Sequence, residues 1–262
     1  MKALQTAATG MRAQELNVQT VANNIANIRT TGFKKQRAEF QDLLYQDLRR
    51  VGSSSSDSGT VVPTGIQIGS GVKFAATSRV LSQGPLDQTE QPLNVAIRGD
   101  GYIAIQLPDG QTAYTRDGSF ERNQDGEIVT LDGFQVDSGI TIPQDSRSIS
   151  ISTDGQVEVV VGNDSNKTNV GQIEVVTFIN PGGLEAIGDN LFLETAASGT
   201  PQTGAPGEDG RGDLLQGFLE NSNVDAVAEI SDLISAQRAY ELNSRVISAA
   251  DEMMQAASAI TN

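Results

Sequence analysis

Hydrophobic residues recur with two different rhythms along this chain of 262 residues. Near the start, Leu4, Ala7, Met11, Gln14, Val18, Val21, Ile25 and Ile28 follow one another at steps of three and four. Gln14 is the one polar member, so the run is a heptad seam that predicts a helix with one apolar side. Its small and β-branched members allow a second helix to come close. The far end matches it. Residues 224–260 contain no Gly or Pro, and Val246, Ala250, Met253, Ala257 and Ile260 step by four and three. Upstream, Val227, Ile230, Leu233, Ile234 and Tyr240 form a broader stripe. Asn223 or Ser222 is the expected N-cap, and a helix of this length runs to about 50 Å.

Between the two ends the rhythm changes to alternation. "YIAIQL", "TAYTR", "EIVTL", "SISIST", "QVEVVV" and "IEVVTFI" read as strands by alternation or β-branched content. Asp-Gly pairs at 100–101, 109–110, 117–118, 125–126 and 132–133 are spaced by about one short strand, and Asp-Gly favours hairpin turns. The middle is therefore expected to be a β domain, a sandwich or an irregular barrel. The fold class is α+β, with discontinuous terminal helices around a β-rich body. "RRVGSSSSDSGTVVPTG" (49–65) and "AASGTPQTGAPGEDGRGD" (196–213) read as loops, and the first is long enough to be either mobile or functional.

Composition narrows the chemistry. The chain has no Cys and no His, which excludes disulfides and thiolate zinc sites and removes the usual proton shuttle at neutral pH. A net charge of −15 argues against nucleic acid as a partner. The first 50 residues sum to +4 and the remainder to −19, a pattern that fits solvated surface or repulsion that keeps subunits apart until assembly is directed. No secretory signal peptide is visible, and no apolar run reaches membrane-spanning length.

Several short motifs carry little. "GIQIGSGVK" lacks the Gly-Lys-Ser/Thr of a phosphate loop, because Val72 separates Gly71 from Lys73. The Asp-Gly series lacks the order of a calcium loop. "RGD" at 211–213 is the only hint of an adhesin, and no carboxylate pair is marked for wall cleavage. No catalytic, cofactor or metal residue is assigned, and no small-molecule ligand is expected.

"VANNIANIRTTGFKK" is harder to explain. It places Asn23, Asn24 and Asn27 among apolar residues near a helix end, although Asn is a mediocre helix former. On periodicity alone these residues either face solvent or set register at an interface. Gly32 suits a left-handed C′ cap, and Phe33 can pack back onto the last turn.

"ANNIANIRTTGFKKQRAEFQDLL" resembles the N-terminal signature of the flagellar rod and hook family. "LENSNVDAVAEISDLISAQRAYELNSRVISAADEMM" is similar to that family's C-terminal signature, and "AIRGDGYIAIQLPDGQTAYTRDGSF" to its shared β segment. Within the family, the length and "AEFQDLLYQDLRR" followed by a Ser/Gly-rich insertion resemble distal rod members. The resemblance implies a non-enzymatic structural subunit without cofactors, polymerising into a straight, hollow, helical drive shaft across the periplasm. Implied partners are further copies of the chain, proximal rod and hook proteins, a ring bushing and the type III export machinery, with export lacking a cleaved signal. A proximal rod or hook subunit is the alternative within the family.

The resemblance also implies an organisation. Residues 1–32 and 222–262 would form a coiled-coil inner domain, 33–75 and 205–221 a connecting domain, and 76–204 a β-rich outer domain. Leu4, Met11, Val18, Val21, Asn23, Asn24, Ile25, Asn27 and Ile28 would meet other helices in assembly. So would Gln237, Arg238, Tyr240, Asn243, Val246, Met253 and Ile260. Gly32 and Phe33 would form the helix stop and corner. Arg49, Arg50, Gly52, Ser55, Asp57, Pro63 and Gly65 would belong to an insertion that stiffens the shaft.

Overall fold

A computed structural model describes residues 2–49, 64–162 and 167–260. Contacts divide the chain into two compact units, one of residues 1–26, 36–78 and 225–262 and the other of 27–35 and 79–224.

The first unit is built on helices α1 (Lys2–Ala26) and α2 (Ala226–Ile260). They pack antiparallel. Asn24 bonds Glu229 near one end, and Gly10 lies against Asn243 farther along. In that register Lys2 is level with Asp251, so residues 252–260 of α2 run on past α1 for about 13 Å. α2 starts where Asp225 caps it, with Oδ1 accepting the N–H groups of Val227 (2.8 Å) and Ala228 (3.0 Å). The expected caps do other work. Ser222 Oγ accepts the Val224 N–H, and Asn223 bonds loop backbone in the second unit. Strands β1 (Gln36–Asp42) and β4 (Val72–Arg79) pair, and β2 (Tyr45–Arg49) with β3 (Ile66–Gly69) makes an antiparallel hairpin.

The second unit is β-rich. Its early strands are β5 (Leu86–Gln88), β6 (Val95–Arg98), β7 (Ile103–Gln106), β8 (Thr112–Thr115), β9 (Phe120–Arg122), β10 (Ile128–Thr130) and β11 (Gln135–Val136). Then come β12 (Ser146–Ile151), β13 (Gln156–Val161), β14 (Lys167–Gln172), β15 (Val175–Thr177), β16 (Glu185–Gly188) and β17 (Leu191–Leu193). Last are β18 (Gln202–Gly204), β19 (Asp213–Gln216) and β20 (Phe218–Glu220). A seven-stranded antiparallel sheet runs β16-β17-β8-β7-β11-β10-β9, and β12-β13-β14 form a second sheet. The latest strands return to the earliest ones, β19 pairing β6 and β20 pairing β5. Ile97, Ile103, Ile105, Ile142, Val157, Ile173 and Leu214 fill the common core.

Three Asp-Gly pairs, at 109–110, 125–126 and 132–133, lie in the turns joining β7–β8, β9–β10 and β10–β11. The pair at 117–118 does not. Gly118 lacks a positive φ and packs so tightly that a Cβ there would stand 1.7 Å from the Val95 carbonyl oxygen.

Candidate functional site: helix faces and a buried ion cluster

The expected α1 seam coincides with its covered face. Leu4, Met11, Val18 and Ile25 are half-buried and Val21 is buried. A second covered stripe runs beside it through Gly10, Ala13, Asn17, Thr20 and Asn24, again at steps of three and four. This stripe explains Asn24, which is 1% exposed. Its Nδ2 donates to the Gln36 carbonyl (2.8 Å) and to Glu229 Oε2 (3.0 Å), and its Oδ1 accepts the Gln36 N–H (2.8 Å). The amide joins α1, β1 and α2 inside one chain, which corrects its expected place facing a neighbouring subunit. Asn23 is exposed on α1. Asn27 and Ile28 follow the helix, and Asn27 Oδ1 accepts the Thr30 hydroxyl.

On α2 the face toward α1 is Glu229, Leu233, Ala236, Ala239, Asn243, Ile247 and Ala250. Asn243 is half-buried against the bare backbone of Gly10, where a Cβ would come within 2.9 Å of its Nδ2. Val246 and Met253, expected in the same seam as Ala250, are exposed by 48% and 65%. Met253 lies on the overhang, where α1 offers nothing to cover it. Val227, Ile230 and Ile234 form an exposed apolar stripe on the side of α2 away from α1. Gln237 and Tyr240 line an open cleft of about 470 Å³ with Val18 and Gln19, bordered by Glu15 and Glu241. Arg238 is exposed, and Ile260 closes the helix.

Gly32 has φ 69° but lies six residues beyond the end of α1. Its N–H goes to the Glu220 carbonyl (2.7 Å), so it forms a corner in the second unit rather than a C′ cap. Phe33 is half-buried beside it, its N–H on the Thr30 carbonyl. In the insertion, Arg49 ends β2 and Gly65 precedes β3, while Arg50, Gly52, Ser55, Asp57 and Pro63 lie outside the described residues. The flanking hairpin exposes Leu44, Leu48, Ile66 and Ile68.

Periodicity gave no sign of the most polar site in the core. Glu220, 1% exposed, receives Lys34 Nζ on Oε1 (2.6 Å) and Arg116 Nε on Oε2 (2.9 Å). The Gly84 N–H adds a third bond at 2.9 Å. Both cations are buried. Lys34 also donates to the Ser82 carbonyl, and Arg116 to those of Gly99 and Gly101. Burial, reinforced by the neighbouring Arg116 charge, pulls the Lys34 ammonium below its ordinary pKa, and its bond to Glu220 opposes that shift. No group of three or more potential metal-ligating side chains occurs among the described residues.

Profiles of known families match three segments. "Flagella basal body rod protein" covers 4–34, "Flagellar hook protein FlgE/F/G D1 domain" 96–159, and "Flagellar basal body rod FlgEFG protein C-terminal" 215–260. The chain is 58% identical over 258 residues to the flagellar basal-body rod protein FlgG of Caulobacter vibrioides, covering 98% of each. It is 50% identical to FlgG of Agrobacterium fabrum and 38% identical to that of Bacillus subtilis, covering 97% of each chain. The chain belongs to the flagellar basal-body rod family. Each family segment supplies one member of the ion cluster: Lys34 the first, Arg116 the second and Glu220 the third. Lys34 follows Phe33, but Arg116 stands between Thr115 and Asp117 and Glu220 between Leu219 and Asn221, so nothing in the local sequence sets the three apart from other charged residues.

Proposed function

We propose that this rod-family chain is a structural subunit of the distal rod, polymerising into a straight, rigid, hollow shaft that carries torque from motor to hook. Its role is mechanical, without an enzymatic step. The observation that carries the reading is the apolar surface left open on α2: the stripe Val227, Ile230 and Ile234, with Met253 and Met254 toward the overhang. A helix pair of this kind buries its remaining apolar area against other copies, and head-to-tail contacts that do not close generate a helical tube. The terminal helices form a coiled-coil inner domain of residues 1–32 and 222–262. Residues 33–75 with 205–221 connect it to an outer domain of 76–204.

The hairpin around 50–63 supports a stiffening role for the insertion, because its exposed Leu44, Leu48, Ile66 and Ile68 offer a second apolar surface to neighbouring subunits. Proximal rod and hook proteins meet the shaft at its ends, a ring surrounds it, and the subunit reaches the periplasm through the flagellar exporter. The "RGD" triplet is not presented for cell adhesion. Asp213 opens β19 and pairs with Arg98, while Arg211 bonds the Ala205 carbonyl.

Electron microscopy of isolated basal bodies carrying a tagged chain tests the reading. Label along the straight shaft just below the hook is expected. Label on the hook, or near the inner membrane, would assign the chain to another axial position.

A further inference from the structure

The ion cluster lies where three stretches distant in sequence run side by side within the second unit. Residues 32–35 meet 220–223 through Gly32 N–H to the Glu220 carbonyl (2.7 Å) and Lys35 N–H to Asn223 Oδ1 (2.7 Å). Residues 80–84 join both: the Val80 N–H bonds the Lys35 carbonyl, and Asn223 Nδ2 donates to the carbonyls of Val80 and Ser82 (2.9 Å each).

The charges in this junction arrive unequally along the chain. Lys34 and Arg116 come first and Glu220 last. The carbonyls of Ser82, Gly99 and Gly101 solvate the cations but carry no countercharge. Asp100 also favours the Lys34 charge, but it is exposed, whereas Glu220 touches both cations directly. Without Glu220, closing the junction buries two like charges together, and an uncompensated buried charge is strongly unfavourable.

We infer that Glu220 is a latch that makes closure of the β body conditional on the chain's C-terminal segment. A chain that lacks this carboxylate holds the strands near the junction open, even with its apolar core residues all present. The inference rests on the geometry within the second unit and is independent of where the subunit sits in a flagellum.

Amide hydrogen exchange on the full-length chain tests it, read at Val95–Ile97 of β6 and Ile103–Ile105 of β7. Glu220→Gln keeps the shape and removes the charge, and is expected to speed exchange there by about 100-fold or more. A triple substitution, Lys34→Met, Arg116→Met and Glu220→Leu, replaces all three ions with apolar groups of similar size. It is expected to restore protection to within about tenfold of the native chain. Native-like protection in Glu220→Gln overturns the latch. So does a triple variant as open as Glu220→Gln, because shape and not charge would then be the cause. If Glu220→Gln is insoluble, a soluble triple variant supports the latch and an insoluble one overturns it.

Discussion

The three asparagines near the end of α1 have similar neighbours in sequence and three separate fates. Asn24 is buried and fully bonded, Asn23 is exposed on the helix, and Asn27 sits in the turn beyond it. One residue's difference along a helix rotates a side chain by about 100°, enough to move it from a covered stripe to an open face. The sequence marked the cluster as unusual, but which Asn is buried depends on where β1 and Glu229 lie. Gly10 and Asn243 make a sharper test at this scale. Alanine is about 1 kcal/mol better than glycine inside a helix. At position 10, however, the added methyl meets the Asn243 amide. Gly10→Ala is therefore expected to change stability little in the native chain and to stabilise it by about 1 kcal/mol when Asn243 is also Ala. A double-mutant cycle of denaturation midpoints reads the difference; equal effects in both backgrounds would remove the proposed contact.

Among the elements, helices and the better strands were legible because each follows a single period. The α1 seam keeps its heptad, and β13 spans the "QVEVVV" run. The face of α2 was not legible. Alanines and Asn243 contribute little hydrophobicity yet occupy the contact side, while Val227, Ile230 and Val246 stand outside it. Periodicity ranks side chains by apolarity, whereas an antiparallel pair in close contact selects them by size. Pairing between distant strands was equally hidden, as in β19 returning to β6. That pair carries a pH dependence. Hydrogen bonding to Arg98, with its charge, holds the Asp213 carboxyl below its ordinary 3.8, so the unfolded chain takes up the proton first. The contribution is present in full above 3.8 and is lost as pH falls through the lower folded value. Arg98→Gln is expected to flatten that part of the acid-unfolding curve and to change stability at neutral pH only slightly, as loss of an exposed pair does. An unchanged acid limb would show that the pair does not contribute.

For the whole molecule, the overhang of α2 separates stability from assembly. Residues 252–260 have no α1 residue level with them, and all those with described side chains are exposed. Deleting them is expected to leave the melting temperature of the isolated subunit within about 2 °C of the native value, as for surface changes generally. The same deletion should abolish incorporation into the rod, measured as swimming and as label in purified basal bodies. A large drop in melting temperature would mean that the segment folds back onto its own chain. The junction around Glu220 bears on a different property, the response to force. Segments 32–35 and 220–223 are bonded side by side, and residues 79–219 of the β body lie between them in sequence. Tension applied between residues 27 and 224 therefore reaches these bonds before the strands that lie between them in sequence. The β body yields only after that junction parts, so a buried carboxylate and two cations act as its mechanical fuse.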